Sequence, residues 1–421
     1  MSYSHIESSY PSSLARRGII DKFILLSTYV LFFLLPWYLN GLGNTQPADI
    51  ALFSAMIFLI LNRGFYGLNL VSRSKAYAAL IFFLVYAIVR FCTSIINEPN
   101  DASIHLLIEN IYYLIMLISL VSIIFYFYAT RTHQEFYRIM INCLIITMLL
   151  PLINLIIGNS IHLNLTDVLD DNSIDRAMLT FKNANQLGFF ALTNLSIFFY
   201  ISLYSKKQNI AINKLISLFI INVNFIFLLL SQSRAAAPAV ILYALSYAFI
   251  FRIRLQKGLL IILWCLIFCL VLTLSAKMIL ALMLASRGSM TSWTSSGLIS
   301  EVYDRAFQGA SFNLNYFSYF LFGYGSETNP WRVDHLEFHN NFLSIFNQLG
   351  ILGLILYSYL IFRHLIDLYK KNFIYIIPFL CYLFYSQLQY AFRTRNNWVF
   401  FAVLIFVILT PLRKNKNNLI T

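Results

Sequence analysis

The residues best suited to chemistry lie in one short segment near residue 340. His339 and Asn340 are followed, after nine further residues, by Gly350 and Gly353. An imidazole titrates near neutral pH, so His339 is a candidate general base for a hydroxyl proton; alternatively, it buttresses the next helix. Asn340 either orients a sugar hydroxyl or caps that helix. The helix itself, residues 342–357, is apolar enough to enter a membrane, and its two glycines predict a flat strip for helix contact.

Several arginines are candidates for binding an anion. Arg234 lies in the segment Ser231-Gln-Ser-Arg-Ala-Ala-Ala-Pro238, between two apolar runs. Its fork of donors either binds phosphate or snorkels to the membrane surface. The same two interpretations apply to the loop arginines Arg176, Arg287 and Arg305.

Other charges occur close to or within apolar segments. Arg90 and Glu109 fall inside neighbouring apolar runs, where an unpaired charge is costly, and we expect them to pair with each other. Arg393 and Arg395 precede Trp398 in a short loop. They hold a diphosphate, or Arg395 anchors the following helix at the membrane surface together with Trp398.

A metal site is not expected. His335 and His339 are four residues apart, but Pro330 precedes them closely and a third ligand is missing. The five cysteines all fall within apolar runs and show no metal or disulfide spacing. The sequence therefore indicates neither a metal centre nor redox chemistry.

The elements that must position these residues are membrane helices. Of the 421 residues, 59% are hydrophobic and 11% charged, and the mean hydropathy is +0.72, which excludes a soluble domain. Runs of about 20 apolar residues predict about twelve transmembrane helices in one all-α, polytopic membrane domain, residues 1–421. The predicted spans are residues 24–41, 48–62, 77–96, 104–128, 137–158, 186–204, 215–232, 236–251, 258–276, 342–362, 374–391 and 398–412.

The distribution of basic residues predicts the orientation. Lys and Arg concentrate in alternate loops and at both termini, so both termini are expected in the cytoplasm. The preference of Lys and Arg for cytoplasmic loops, together with their attraction to anionic lipid, accounts for the net charge of +13. Nucleic acid is therefore not an expected partner. Two external loops are long, residues 159–185 and 277–341. Loops of that length usually carry function.

The ordered motifs resemble those of the O-antigen ligase and polymerase superfamily of bacterial inner-membrane glycosyltransferases. The ligase pattern of a His-Asn pair, nine residues and Gly-x-x-Gly matches His339 to Gly353. Further landmarks agree in order across residues 170–360. They are Phe181-Lys-Asn-Ala-Asn185 with Gly188 after Arg176, then Ser233-Arg234-Ala235, then Arg305 before Gly323-Tyr-Gly325.

The resemblance implies a C-type glycosyltransferase bundle with a large periplasmic loop. The donor would be a saccharide on undecaprenyl diphosphate, and the acceptor the lipid A core or a lipid-linked glycan, without metal or other cofactor and with inversion. His339 would be the base, and Arg234 with Arg305 would bind the diphosphate. Weaker substrate-binding candidates are Asn340, Arg176, Arg287, Arg393 and Arg395.

Three functions remain in competition. The nine-residue spacing favours an O-antigen ligase of the inner membrane, with its active site on the periplasmic side. The alternatives are a polymerase of O-antigen or capsule and, from another class, a polysaccharide flippase or transporter, although no internal repeat suggests a transporter's halves. Membrane lipids and other polysaccharide assembly proteins are the further expected partners.

Overall fold

The helical architecture is as expected from the sequence. The computed structural model describes residues 18–37, 46–63, 73–157, 180–181, 184–231, 237–251, 317–325, 340–386 and 391–410. These residues form helices and turns, with no β-strand among them. The described α-helices are α1 (Ile19–Leu34), α2 (Pro47–Arg63), α3 (Lys75–Asn97), α4 (Asp101–Thr130), α5 (His133–Ile156), α6 (Ala184–Lys207), α7 (Lys214–Ser231), α8 (Ala237–Phe251), α9 (Phe317–Phe322), α10 (Asn341–Tyr369), α11 (Ile376–Ser386) and α12 (Arg395–Leu409). Short 3₁₀ turns occupy Phe373–Tyr375 and Ala391–Arg393.

The predicted spans correspond to these helices, with one exception outside the described residues, 258–276. Six of the described helices, α3 to α7 and α10, are long and apolar enough to cross a membrane. The others are shorter. The prediction of an all-α protein with membrane helices is therefore confirmed, whereas the number twelve and the large periplasmic loop stay predictions.

The outer faces of the long helices are apolar, as contact with lipid requires. On α3, for example, Phe82, Val85 and Val89 are all exposed, at helical spacing. Surfaces of this kind are rare on proteins surrounded by water. By contrast, residues 187–205 of α6 and 395–407 of α12 are buried throughout, so these two helices form the centre of the bundle.

The two central helices are parallel, and aromatic rings pack along their length. Tyr200 stacks on Phe400 with ring centroids 6.2 Å apart, and Tyr204 contacts Phe406 at 5.5 Å. We name the two ends of the bundle for their residues. At the α3–α4 end, α3 ends at Asn97 and α4 begins at Asp101. The opposite end is the Arg131 end.

A buried ion pair joins the first helix to the Arg131 end. Arg131, just after α4, binds the carboxylate of Asp21 in α1, and both side chains are almost fully buried. The Tyr126 hydroxyl donates to the same carboxylate at 2.6 Å. At this end, too, Lys371 donates to the carbonyl oxygen of Thr410. Thus the start of α1 and the end of α12 lie at one end of the bundle. The cytoplasmic location of both termini stays a prediction.

Helix α10 is broken at Gly350, contrary to the continuous helix expected there. Gly350 has φ 67° and ψ −166°, which is not helical. In a straight helix, the 16 residues between Asn341 and Tyr357 would span about 24 Å. Instead, the amide of Asn341 lies 3.5 Å from the Tyr357 hydroxyl, and the Phe342 and Tyr357 rings are 5.1 Å apart. The first half, residues 341–349, therefore folds back against the second half.

Candidate functional site

The end of α9 and the two residues after it, residues 321–324, pack against the break in α10. Gly323 and Gly350 both have positive φ, and their backbones are in direct contact. A Cβ on Gly350 would lie 2.3 Å from the carbonyl oxygen of Leu321, and one on Gly323 would lie 2.4 Å from the backbone of Gln348. Only glycine fits at either position, because of both the torsion and the space. The two glycine motifs thus form one interlocked unit.

Hydrogen bonds from outside α10 satisfy two carbonyl groups next to the break. The Tyr324 amide donates to the Asn347 oxygen at 2.7 Å. The Tyr86 hydroxyl, from α3, donates to the Leu349 oxygen at 3.2 Å. Buried carbonyl groups without such partners would be costly, so these bonds stabilise the broken conformation.

Arg90 holds the same unit from the side of α3. Its Nε donates to the Phe322 oxygen and its Nη2 to the Gly323 oxygen, both at 2.5 Å. Its Nη1 donates to Ser94 Oγ at 2.7 Å. A cation at the last carbonyl groups of α9 is favourable, because these groups carry partial negative charge. Arg90 is therefore a clamp between α3 and α9.

The expected pair between Arg90 and Glu109 does not form among the described residues. The Tyr113 hydroxyl donates to Glu109 at 3.3 Å, and His105 Nδ1 lies 3.8 Å from the same carboxylate. The sequence places the two charges in adjacent helices, but the carbonyl groups at the end of α9 offer Arg90 a closer set of acceptors.

The start of α10 is buried and tied to the turn before α12. Asn340 Oδ1 accepts from the amides of Phe342 at 2.8 Å and Leu343 at 3.3 Å, so the capping interpretation of Asn340 is confirmed. Asn341 is completely buried. Its Oδ1 accepts from the Ala391 amide at 2.7 Å.

Two tyrosines of α11 connect the remaining parts of this region. The Tyr385 hydroxyl donates to the Asn185 oxygen at the start of α6, at 2.5 Å. The Tyr382 hydroxyl donates to Asn397 Oδ1 of α12, at 2.7 Å. We call the region formed by Asn185, Asn340, Asn341, Ala391 and Asn397 the central site. Asn185 is exposed and contributes its backbone oxygen, whereas the other four residues are buried. Buried polar groups within a membrane bundle are typical of functional sites.

Arg395 lies beside the central site and is engaged by a carboxylate. Its Nε and Nη2 bind the two oxygens of Asp49 at 2.9 and 2.8 Å. Tyr112 donates to the same carboxylate, and its ring lies 5.7 Å from the guanidinium. For Arg393, the structure describes the backbone, which belongs to the turn before α12. The two interpretations of Arg395 from the sequence, membrane anchoring and diphosphate binding, do not include Asp49 as its partner.

The other candidates lie outside the described residues. These are His339, Arg234, Arg305, Arg176 and Arg287, together with His335. Among their described chain neighbours, Asn340, which follows His339, belongs to the central site. Ser231, three residues before Arg234, ends α7, whose Phe227 ring packs on Phe190 of α6 at 6.2 Å.

Several residues of this region were not singled out from the sequence. Asp49 and Asn341 are examples. The sequence does draw attention to Arg90, but as a partner of Glu109. A signal existed for Asp49, since a carboxylate at the start of an apolar run has to find a partner. In the described part of the chain, no group of three or more His, Cys, Asp or Glu side chains is arranged to hold a metal.

The fold and the central site define a class: a membrane protein whose described residues are all helix and turn, with a largely buried polar site and, at the break in α10, a pair of interlocked glycine motifs. No protein-family model matches the chain, and no curated protein matches it significantly. A functional assignment therefore depends on the motif residues and their geometry.

Proposed function

We propose that this protein is an O-antigen ligase, a membrane glycosyltransferase that moves a polysaccharide from undecaprenyl diphosphate onto the lipid A core. The observation that carries the proposal is the contact between Gly323 and Gly350, 27 positions apart. Both belong to the ordered motif set that resembles the superfamily. Their direct interlocking supports the interpretation of these motifs as one functional unit rather than as coincidental matches.

In the proposed reaction, a hydroxyl oxygen of the acceptor attacks the anomeric carbon of the donor. The new C–O bond forms as the bond to the diphosphate oxygen breaks, with inversion at that carbon. His339 takes the hydroxyl proton. Arg234 and Arg305 stabilise the charge that develops on the diphosphate. The glycosyl diphosphate bond supplies the driving force, so the reaction requires neither nucleotide nor metal.

The described residues would contribute by positioning. The Asn340 cap and the bond from Ala391 to Asn341 hold the backbone directly after residue 339. The pair of Asp49 and Arg395 holds the start of α12, next to the turn that contains Arg393. Arg176, Arg287 and Arg393 stay candidates for contacts with the substrate. In the proposed orientation, the central site faces the periplasm and both termini are cytoplasmic.

A polymerase of O-antigen or capsule is the second candidate, because the resemblance covers both kinds of enzyme. Purified protein with a defined lipid-linked donor separates them when two acceptors are offered. We expect transfer to the lipid A core. Transfer only to a second lipid-linked repeat would identify a polymerase instead.

Substitution of the base tests whether the protein is a transferase at all. We expect His339→Ala to reduce transfer by about 10²- to 10⁴-fold, the typical contribution of a general base. His105→Ala is the matched control, since its side chain is half-exposed on α4. In addition, Arg234→Lys and Arg305→Lys should impair transfer, because a point charge does not reproduce a bidentate contact. Full activity of His339→Ala in cells would favour a flippase or transporter.

A further inference from the structure

A polar cleft of about 290 Å³ opens at the α3–α4 end, between the α3–α4 connection and α9. Its size is close to the lower limit of small-molecule pockets, roughly 300 Å³. The lining includes the side chains of Asn97, Glu98, Ser318, Tyr319 and Tyr324. None of these residues has a role in the proposed transfer reaction, so the cleft needs a separate explanation.

Three polar side chains of the cleft are available to a ligand. Asn97, Glu98 and Ser318 are exposed, and their side chains form no hydrogen bond within the described part of the chain. A carboxamide and a hydroxyl each donate and accept, and a carboxylate accepts. Sugar hydroxyls, which also donate and accept, are complementary to this set.

Aromatic rings complete the lining. The rings of Tyr319 and Tyr324 lie 5.1 Å apart in an edge-to-face arrangement. Tyrosine offers an apolar face beside a polar hydroxyl, and a sugar ring has the same combination of C–H face and polar rim. The backbone under Tyr324 is held by its bond to Asn347, so the aromatic wall is organised before any ligand binds.

The cleft is poorly suited to a diphosphate. Among the described residues of its lining, Arg90 is the cation, but the guanidinium already donates to the Phe322 and Gly323 oxygens and to Ser94. Glu98 adds negative charge to the same wall. A neutral polyhydroxylated ligand avoids both problems.

The position of the cleft also matches a sugar chain. Ser103 lines the cleft, whereas Tyr112 contacts the Asp49 carboxylate beside the central site. These two residues are nine positions apart on α4, about 13 Å along the helix axis. The cleft therefore lies further towards the end of the bundle than the central site. A glycan whose reacting end lies in the central site and whose chain runs towards this end of the bundle would reach the depth of the cleft.

We propose that this cleft is a saccharide subsite, which binds neutral sugar residues of the glycan substrate away from the bond that reacts. The proposal rests on the proposed function for the identity of the glycan, but the binding event can be measured without any transfer. Asn97 and Ser318 supply hydrogen bonds, and the two tyrosines supply the stacking surface.

The test uses the full-length protein in lipid nanodiscs and isothermal calorimetry. The probe is the oligosaccharide repeat released by mild acid from the lipid-linked glycan of the host cells. We expect the double variant Asn97→Leu, Ser318→Val to bind this probe at least tenfold more weakly, as the loss of two or more hydrogen bonds implies. Both side chains are exposed and unbonded within the described chain, so folding should be unaffected. Gln134→Leu, at the Arg131 end, is the matched control and should bind normally.

The outcomes separate the two proposals. Unchanged affinity in the double variant, or displacement of the oligosaccharide by inorganic pyrophosphate, would overturn the saccharide subsite. Weaker binding in a protein that transfers no glycan would leave the subsite standing and refute the transferase. In an active enzyme, the double variant should raise KM for the glycan and leave kcat unchanged.

Discussion

The buried pair of Asp49 and Arg395 allows a quantitative test of which arginines are structural. Its side chains are only 4% and 9% exposed, and Arg395 binds both carboxylate oxygens. Removal of one partner leaves an uncompensated buried charge, which costs about 3–5 kcal/mol. We expect Arg395→Met and Asp49→Leu each to lower the free energy of unfolding by this amount.

The double variant Asp49→Leu, Arg395→Met should lose much less free energy of unfolding than the sum of the two single losses. Asp49→Leu alone already removes the acceptor that Tyr112 and the Gln46 amide use. Adding Arg395→Met then takes away the stranded cation, so no further loss is expected. The coupling between the two sites should therefore be about 3 kcal/mol or more.

Equilibrium unfolding in mixed micelles measures this coupling. The control is the pair of Arg363 and Asp367, which lies one turn apart on α10 at 3.1 Å and is 21% and 14% exposed. Helical pairs of this spacing contribute only about 0.3–0.5 kcal/mol when they are exposed, and this pair is less buried than Asp49 and Arg395, so its coupling should be the smaller one. Additive effects at Asp49 and Arg395, within about 0.5 kcal/mol, would refute the reasoning. If Arg395 also contacts substrate, the double variant should transfer less than Asp49→Leu although it is no less stable.

Two further predictions concern the break in α10 and the Arg131 end. Gly350→Ala should destabilise the protein by about 3 kcal/mol or more, since the torsion alone costs about 1–3 kcal/mol and the added Cβ meets the Leu321 oxygen. The same unfolding assay checks it against Gly18→Ala, where nothing lies within 4 Å, and equal stability of the two variants would contradict the interlocked unit. Burial lowers the pKa of Lys371 from 10.5 to about 7, with a smaller contribution from Lys207. Between these pH values the unfolded chain holds a proton that the folded protein has released, so stability should rise with pH by up to about 1.4 kcal/mol per unit. Lys371→Met should lack this rise between pH 7 and pH 9, as measured by the melting temperature at each pH. Parallel curves for the variant and the unchanged protein would show that Lys371 does not cause the rise.

The helices were predictable because lipid contact demands long apolar segments, and the sequence displays them directly. The cap at Asn340 was predictable for a similar reason, because its hydrogen bonds reach only two and three residues along the chain. The break at Gly350 was not. A glycine in an apolar run suits either a flat contact strip or a positive φ, and only the packing of residues 321–324 decides between them.

By itself, then, the sequence determined that this is a protein of membrane helices, where those helices run, and which motifs occur in which order. Apolar length and capping are local properties, which a short stretch of chain expresses by itself. Only the tertiary structure decided which groups the buried charged side chains bind. Arg90 binds carbonyl groups more than 230 positions away, and Arg395 binds a carboxylate 346 positions away. Contacts between residues so far apart in the sequence depend on how the helices pack. A buried charged side chain binds the hydrogen-bond acceptors that packing brings close to it.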